Sequence, residues 1–364
     1  MDEFADHLKT DRPNRTDEFM TSNVIQNLSF AELQGLVADL GQPKFRAQQL
    51  YQWLYKHHAA DYDAMTNLPA ALRESLAETW PYRAARIDET QVSADGTRKY
   101  LVTFSDGVVV ETVAIPSDDE KRLTVCVSTQ AGCAMGCVFC ATGLAGLARN
   151  LAAGEIVEQV LLAQADCGRR VSNVVFMGQG EPFLNFDSVL KALRILNDPD
   201  AVGIGARAMT VSTCGIISGI EALANVPEQF SLAVSLHAAD QKIRDSLMPK
   251  VRHQKLTDLK TALATYQKKT NRRVTLEYIM IHEVNDSPED LAELVAFTRG
   301  LLCHVNLIPV NAVPDSAFQP SPKDTFARWE KTLREAGVET TVRESRGQDI
   351  AGACGQLKNT RAAR

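Results

Sequence analysis

Cys133, Cys137 and Cys140 stand at spacings of four and three residues inside QAGCAMGCVFCATG, residues 130–143. The chain has eight cysteines, at 126, 133, 137, 140, 167, 214, 303 and 354. That is sparse for a disulfide scaffold of this length, so the clustered thiols point to metal or catalysis. Thiolates bind zinc or iron-sulfur clusters, and a pair two residues apart would alone suit zinc. A zinc site wants a fourth ligand, however, and this loop holds no histidine and no further cysteine. Three ligands suit a four-iron cluster with one iron left open for a substrate or cofactor. In MGQGEP, residues 177–182, Gly178 and Gly180 let backbone approach a ligand closely, and Glu181 offers an acceptor for an ammonium group. Cys354 sits among small residues in GQDIAGACGQL, a mobile loop able to carry a thiol to a substrate, while Cys126 lies seven residues before the three-cysteine loop, within an apolar run.

These groups need elements to position them. From Ser29 to Trp80 the pattern is helical, with FAELQGLVADL, FRAQQLYQWLYKH and LPAALRESLAETW. Between about 97 and 115 the period changes, and RKYLVTF, a Ser-Asp-Gly turn and VVVETVAI read as a β-hairpin. Six apolar runs follow: LTVCVS (123–128), NVVFMG (173–178), AMTVST (208–213), FSLAVSLH (230–237), VTLEYIMI (274–281) and CHVNLIPV (303–310), with helical stretches between them. Continuous apolar strands alternating with helices predict a parallel α/β sheet, and VETTVRE near 338–344 adds an edge strand. In such sheets the chemistry gathers at the carboxyl ends of the strands. There the chain offers the three-cysteine loop, GQGEP, Ser212-Thr213, Ser235-Leu236-His237, His282-Glu283-Val284-Asn285 and Asn311.

Composition sets the outer bounds. With 364 residues, 45% hydrophobic and 23% charged, the chain has room for a large domain and a small one. No apolar run approaches the roughly 20 residues of a membrane span. The charged N-terminus has no signal-like apolar core, so a cytoplasmic protein with a disordered start over 1–25 is expected. A formal charge of -6 argues weakly against nucleic acid, yet a local basic face is compatible with it. Candidate faces are Lys250, Arg252, His253 and Lys255; Lys268, Arg272 and Arg273; Lys358, Arg361 and Arg364; and the N-terminal group Lys44, Arg46, Trp53, Tyr55, Lys56 and His57, which mixes cations with aromatics.

The Cys-x3-Cys-x2-Cys spacing, with Phe139 before the last cysteine, resembles the radical S-adenosylmethionine (SAM) superfamily. Taken together, LGQPKFRAQQLYQWLY, ETVAIP, CVSTQAGCAMGCVFCATG, NVVFMGQGEP, VSTCG, LAVSLHA, NLIPVN and SRGQDIAGACGQL resemble the RlmN family of bacterial adenine-C2 methyltransferases. The resemblance implies a partial (β/α)6 barrel over 121–345, an N-terminal helical domain over 26–90, a β-hairpin linker over 91–120 and a methyl-carrier loop with basic tail over 346–364. It implies a [4Fe-4S] cluster on Cys133, Cys137 and Cys140, and SAM held by Gly180, Glu181, Ser212, Ser235, Leu236, His237 and Asn311. The resemblance also implies that two SAM are spent per turnover. Cys354 would take a methyl group from one; a radical from the second would convert it to a methylene radical that adds to C2 of adenine in 23S rRNA or tRNA. Cys126 would then form a transient disulfide with Cys354, and Glu111 in ETVAIP is a candidate proton acceptor. The resemblance leaves open which of Cys126 and Glu111 removes the C2 proton. It implies a flavodoxin or ferredoxin as electron donor, and a monomer is expected. The nearest rival is a Cfr-type enzyme acting at C8; farther ones are a radical SAM activase and a zinc-binding module. Cys167, Cys214 and Cys303 match no family role and read as core thiols.

Overall fold

The computed structural model describes residues 24–82, 85–119, 121–313 and 316–358. Most of the expected disordered N-terminus lies outside these residues, as do Arg361 and Arg364. Val24 and Ile25 lie inside them and are buried.

Helices α1 (Phe30–Asp39), α2 (Phe45–Tyr55) and α3 (Ala70–Thr79) form the N-terminal module. Ser29 starts α1 with a capping box, in which its hydroxyl accepts from the Glu32 amide and the Glu32 carboxylate accepts from the Ser29 amide. Leu33 and Val37, Leu50 and Leu54, and Leu72 and Leu76 recur at helical spacing and are buried. They belong to one continuous apolar core that runs through the rest of the molecule.

The predicted hairpin forms as β2 (Arg98–Thr103) and β3 (Val109–Pro116), and it is joined by a strand that the periodicity did not announce, β1 (Arg86–Val92). RIDETQV alternates exposed and half-buried residues, so it carries none of the apolar weight by which the others were read. Next come β4 (Leu123–Cys126) and a separate antiparallel pair, β5 (Gln130–Gly132) with β6 (Leu147–Asn150), enclosing α4 (Ala141–Ala145). Then follow α5 (Ala153–Cys167), β7 (Asn173–Phe176), α6 (Phe186–Asn197), β8 (Met209–Thr213), α7 (Ile217–Leu223), β9 (Ser231–Ser235), α8 (Gln241–Leu247), α9 (Leu256–Thr270), β10 (Val274–Met280), α10 (Pro288–Thr298), β11 (Cys303–Pro309), α11 (Lys323–Glu335) and β12 (Glu339–Val342).

Ten strands make one sheet in the order β1-β2-β3-β4-β7-β8-β9-β10-β11-β12. The first four pair antiparallel, and from β4 onward every pair is parallel. All six predicted apolar strands and the edge strand are present. β12 does not pair with β1, which makes the expected partial barrel, extended on one side by the hairpin strands. Among the described residues no helix is long and apolar enough to cross a membrane.

Candidate active site

The loop after β4 brings the three cysteines to the carboxyl end of the barrel. Cys133 follows β5, its amide donating to the Gly146 carbonyl at 2.8 Å, and Cys140 caps α4. All three are half-buried, with the free thiols facing one cleft of about 920 Å³. Gly180, Glu181, Ser212, Ser235 and His237 line the same cleft, so five expected SAM contacts and three expected cluster ligands share one wall.

Local geometry explains several of these residues. Gly180 has φ +105°, and a Cβ there would fall 2.8 Å from the Gln130 backbone nitrogen, so only glycine fits. Glu181 is buried, and its carboxylate accepts from the Phe183 amide at 3.0 Å and the Cys214 amide at 2.7 Å. Burial still pushes its carboxyl above the usual range, with those bonds opposing. A cationic ligand would reverse that balance. His237 accepts the Ile279 amide on Nδ1 at 3.1 Å, which leaves the proton on Nε2, and packs edge-on against Phe139 at 4.9 Å. Burial, aided by Arg244, pushes its pKa down to about 3, so the ring is neutral. Leu236 is fully buried behind the wall and is anchored by its amide on the Glu277 carbonyl at 3.0 Å. Asn311 lies outside the cleft lining; its Nδ2 donates to the Cys354 carbonyl at 3.0 Å.

Cys354 lines this cleft and also a second cavity of about 840 Å³, where Cys126, Asn311, Arg343 and Leu357 form part of the wall. The two thiols lie close enough for the negative charge of one to raise the pKa of the other. With burial as the larger cause, Cys126 is pushed up to about 12. The sequence made the Cys354 segment a mobile loop, but its backbone is tied on several sides. The Ala141 amide donates to the Gly355 carbonyl at 2.8 Å, Thr142 Oγ1 to the Leu357 carbonyl at 2.6 Å, and the Gly347 amide to Asp95 at 2.9 Å. Ser93 Oγ donates to Asp349 at 2.6 Å.

Glu111, on β3, lines neither cavity. It is buried and paired with buried Lys99 at 3.3 Å, and Lys99 also reaches the Ala351 carbonyl at 3.4 Å. Burial pushes the Glu111 carboxyl above its ordinary value, with Lys99 and the Lys358 amide pulling the other way.

Three further residues belong to the site: Cys214 and Arg244, which nothing in the sequence singled out, and Asn285, which the sequence placed among the strand-end groups. Cys214, read as a core thiol, is buried in the cleft wall with its sulfur 3.2 Å from Met135 Sδ. Arg244 is fully buried on α8, donates to the Cys214 carbonyl at 2.6 Å, and leaves Nε and Nη1 without a partner. Asn285 is buried and donates to the carbonyls of His237 and Ile279 at 2.7 Å each, which fixes the strand-end turn at His237.

This open α/β barrel with its three-thiol loop defines a radical SAM protein, and residues 127–295 match the family model described as "Radical SAM superfamily". Residues 23–80 match the "Ribosomal RNA large subunit methyltransferase N-terminal domain". A protein of Clostridium novyi named "Probable dual-specificity RNA methyltransferase RlmN" is 43% identical over 335 residues, covering 92% of this chain and 97% of the relative. One of the same name from Synechococcus elongatus is 47% identical over 340 residues, covering 92% and 93%. A crystal structure of a radical SAM methyltransferase from Sphaerobacter thermophilus superposes with a TM-score of 0.87 at 46% identity, covering 92% of this chain and 98% of that one. The chain belongs to the RlmN family of radical SAM RNA methyltransferases.

That superfamily uses SAM and a [4Fe-4S] cluster, and the residues present fit both. Cys133, Cys137 and Cys140 line one cleft, and cysteine thiolates are the donor set that holds iron-sulfur clusters. The buried Arg244 guanidinium, incompletely bonded and close enough to feel charge on Cys137, would be compensated by thiolates there.

Proposed function

We propose that this enzyme methylates C2 of adenine in 23S rRNA, at the peptidyl transferase centre, and in tRNA next to the anticodon. The observation that carries the reading is the position of Cys354, which borders both the three-thiol cleft and the Cys126 cavity. A thiol so placed can receive a methyl group on one side and be released by a second thiol on the other.

When bound, the cluster and SAM supply a methyl group and a hydrogen-abstracting radical, with two SAM used per turnover. Cys133, Cys137 and Cys140 hold the cluster. Gly180 gives SAM close backbone access, Glu181 takes its ammonium, and Ser212, Ser235 and His237 line its seat, with Leu236 setting the backbone behind them. Asn311 orients the Cys354 loop and with it the methyl-carrying sulfur. The Cys354 thiolate would attack the SAM methyl carbon, breaking its bond to the sulfonium sulfur so that S-adenosylhomocysteine leaves, and the resulting S-methylcysteine would lose a hydrogen atom to the radical before its methylene carbon adds to adenine C2. This carbon has no lone pair to attack with, so polar transfer to it is closed and a radical route is needed. Once the adduct has given its unpaired electron to the cluster and its C2 proton to Glu111 or Cys126, the two candidate acceptors, the Cys126 thiolate would attack the Cys354 sulfur; the S–S bond forms as the S–C bond breaks, and the carbon leaves with the electron pair and takes up a proton. A flavodoxin or ferredoxin supplies the electron, and the enzyme works as a cytoplasmic monomer.

Nucleoside mass spectrometry of rRNA and tRNA from cells with and without the gene tests the product. Loss of 2-methyladenosine from both pools is expected, and loss of 8-methyladenosine instead would replace this reading with the Cfr-type one. With purified protein, Cys126→Ala should accumulate a protein–RNA adduct that runs slowly on a denaturing gel. Free protein with normal product would remove Cys126 from its role.

A further inference from the structure

Behind the cleft wall, Arg244 is a charged side chain with no exposed surface at all. It sits on α8, which starts at an Asp240 cap whose carboxylate accepts from the Ile243 amide at 2.8 Å, and it shares the buried face of that helix with Leu247. Among the described residues its guanidinium makes a single hydrogen bond, from Nη2 to the Cys214 carbonyl at 2.6 Å, and buries Nε and Nη1 with no acceptor. Asp245 acts on it only through space, with its own Oδ1 taken by the Gln241 amide at 2.6 Å. A cation removed from water and left half-bonded is strongly destabilising unless negative charge lies close to it. Yet the fold reserves room for this one: Gly215 has φ +98°, and a Cβ there would fall 2.9 Å from Arg244 Nη2.

Two ties bring the guanidinium to the cysteine loop. The Val138 amide, between Cys137 and Cys140, donates at 3.1 Å to the carbonyl of Leu247, one helical turn from Arg244. Met135 Sδ lies 3.2 Å from the sulfur of Cys214, the residue whose carbonyl holds the guanidinium. The charge of Arg244 is felt at Cys137, Cys214 and His237, which line the cleft from three separate loops. Arg244 itself does not line the cleft, so a ligand seated there does not touch it. Neutral thiols give this cation nothing to oppose. A cluster held by three thiolates is anionic, and one added electron makes it more so.

We propose that Arg244 is the fixed counter-charge of the cluster and raises its reduction potential, by favouring the state that carries the extra electron. The proposal rests on Cys133, Cys137 and Cys140 holding that cluster. One electron enters the cluster from the donor, Arg244 neither gains nor loses a proton, and no bond forms or breaks. Charge around a cluster is among the quantities that set its potential, so the effect is read directly as a midpoint.

The test uses the full chain loaded with iron and sulfide, without SAM or RNA. It is titrated with dithionite and mediator dyes, and the reduced cluster is counted by electron paramagnetic resonance. R244Q keeps a side chain able to donate to the Cys214 carbonyl but removes the charge, whereas R244K keeps the charge. The R244Q midpoint should fall by an at least tenfold shift of the reduction equilibrium toward the oxidised state, about 59 mV for one electron, while R244K stays close to wild type. Melting gives a second readout. Without the cluster, R244Q loses an uncompensated buried charge and should melt no lower than wild type; with the cluster, it should melt lower, because there the lost charge was paired. An arginine needed only to pack the loop would lower both temperatures. The proposal is overturned by an R244Q midpoint equal to that of wild type, by an R244K midpoint as low as that of R244Q, or by cluster-free R244Q melting lower. If R244Q holds too little cluster for a midpoint, the cluster-free comparison decides alone. A wild-type chain that takes up no iron and sulfide would sink the cluster reading and this proposal with it, whereas a full cluster with an unmoved midpoint removes the Arg244 role alone.

Discussion

Lys99 and Glu111 are both buried, and each leaves the other's charge unpaired if removed. Burial raises the Glu111 carboxyl, and Lys99 is the largest influence pulling it back. Only the ionised form can accept a proton, so the step it serves should switch on as pH rises through that raised value. Lys99→Met removes the opposing charge, so the acidic limb of the pH profile of product formation should move toward higher pH, with the same plateau at high pH. A limb that stays in place would mean that Glu111 is not the acceptor. The pair also marks how far sequence reading reaches at this scale. The cleft positions of Cys133, Cys137, Cys140 and Glu181 were legible because spacing or a glycine turn announced them. Lys99 in RKY and Arg244 in QKIRDSL look like ordinary surface charges, and only the register of β2 against β3 and the burial of α8 give them partners.

At the scale of elements, the proposed seat for SAM is a set of strand-end turns whose backbone is already committed. The turn after β7 passes so close to Gln130 that Gly180→Ala would force a Cβ to within 2.8 Å of a backbone atom at a φ that favours glycine. The expected cost is about 1–3 kcal/mol of strain. Much of it should fall on the bound geometry, so SAM affinity measured by titration should drop at least tenfold while the melting temperature moves by a few degrees. A variant that bound SAM normally would show that this turn does not form the seat. The six barrel strands were readable for a related reason: each contributes buried apolar residues to one continuous core. β1 was missed because only its pairing with β2 makes it a strand, and its own side chains stay near solvent. The tie-down of the Cys354 segment was equally hidden, since it depends on Asp95, Asn311 and Thr142, which come from three distant parts of the chain.

Across the whole molecule, the cations are distributed unevenly relative to the site. Arg273 pairs with Glu339 and Arg272 with the Gln229 carbonyl, all at the amino ends of the strands, far from the cysteine loop. Tyr55 of the N-terminal module is spent on the core, donating to the Gln26 and Leu28 carbonyls at 2.8 and 3.0 Å. What the module offers a partner is its outer face, including Trp53 and His57 with ring centroids 4.9 Å apart and planes tilted by 53°. The module is held to the barrel by Lys191 with Glu32 at 2.8 Å, His58 with Glu158 at 3.2 Å, and a close approach at the start of α5. There the Gly154 amide donates to Asn27 Oδ1 at 3.1 Å, and a Cβ would sit 2.4 Å from the Gln26 carbonyl oxygen. Backbone on both sides of that contact cannot yield like a flexible side chain, so Gly154→Ala must push the module away from α5. The expected loss is about 1–3 kcal/mol of stability, as for other overpacked contacts. If the module grips RNA, tRNA affinity should fall together with the melting temperature, while cluster content and RNA-free SAM cleavage hold at wild-type levels because the cysteine loop is not in contact with Gly154. Loss of all three together would instead make the module a structural cap on the barrel, with RNA held by the groups around Cys354.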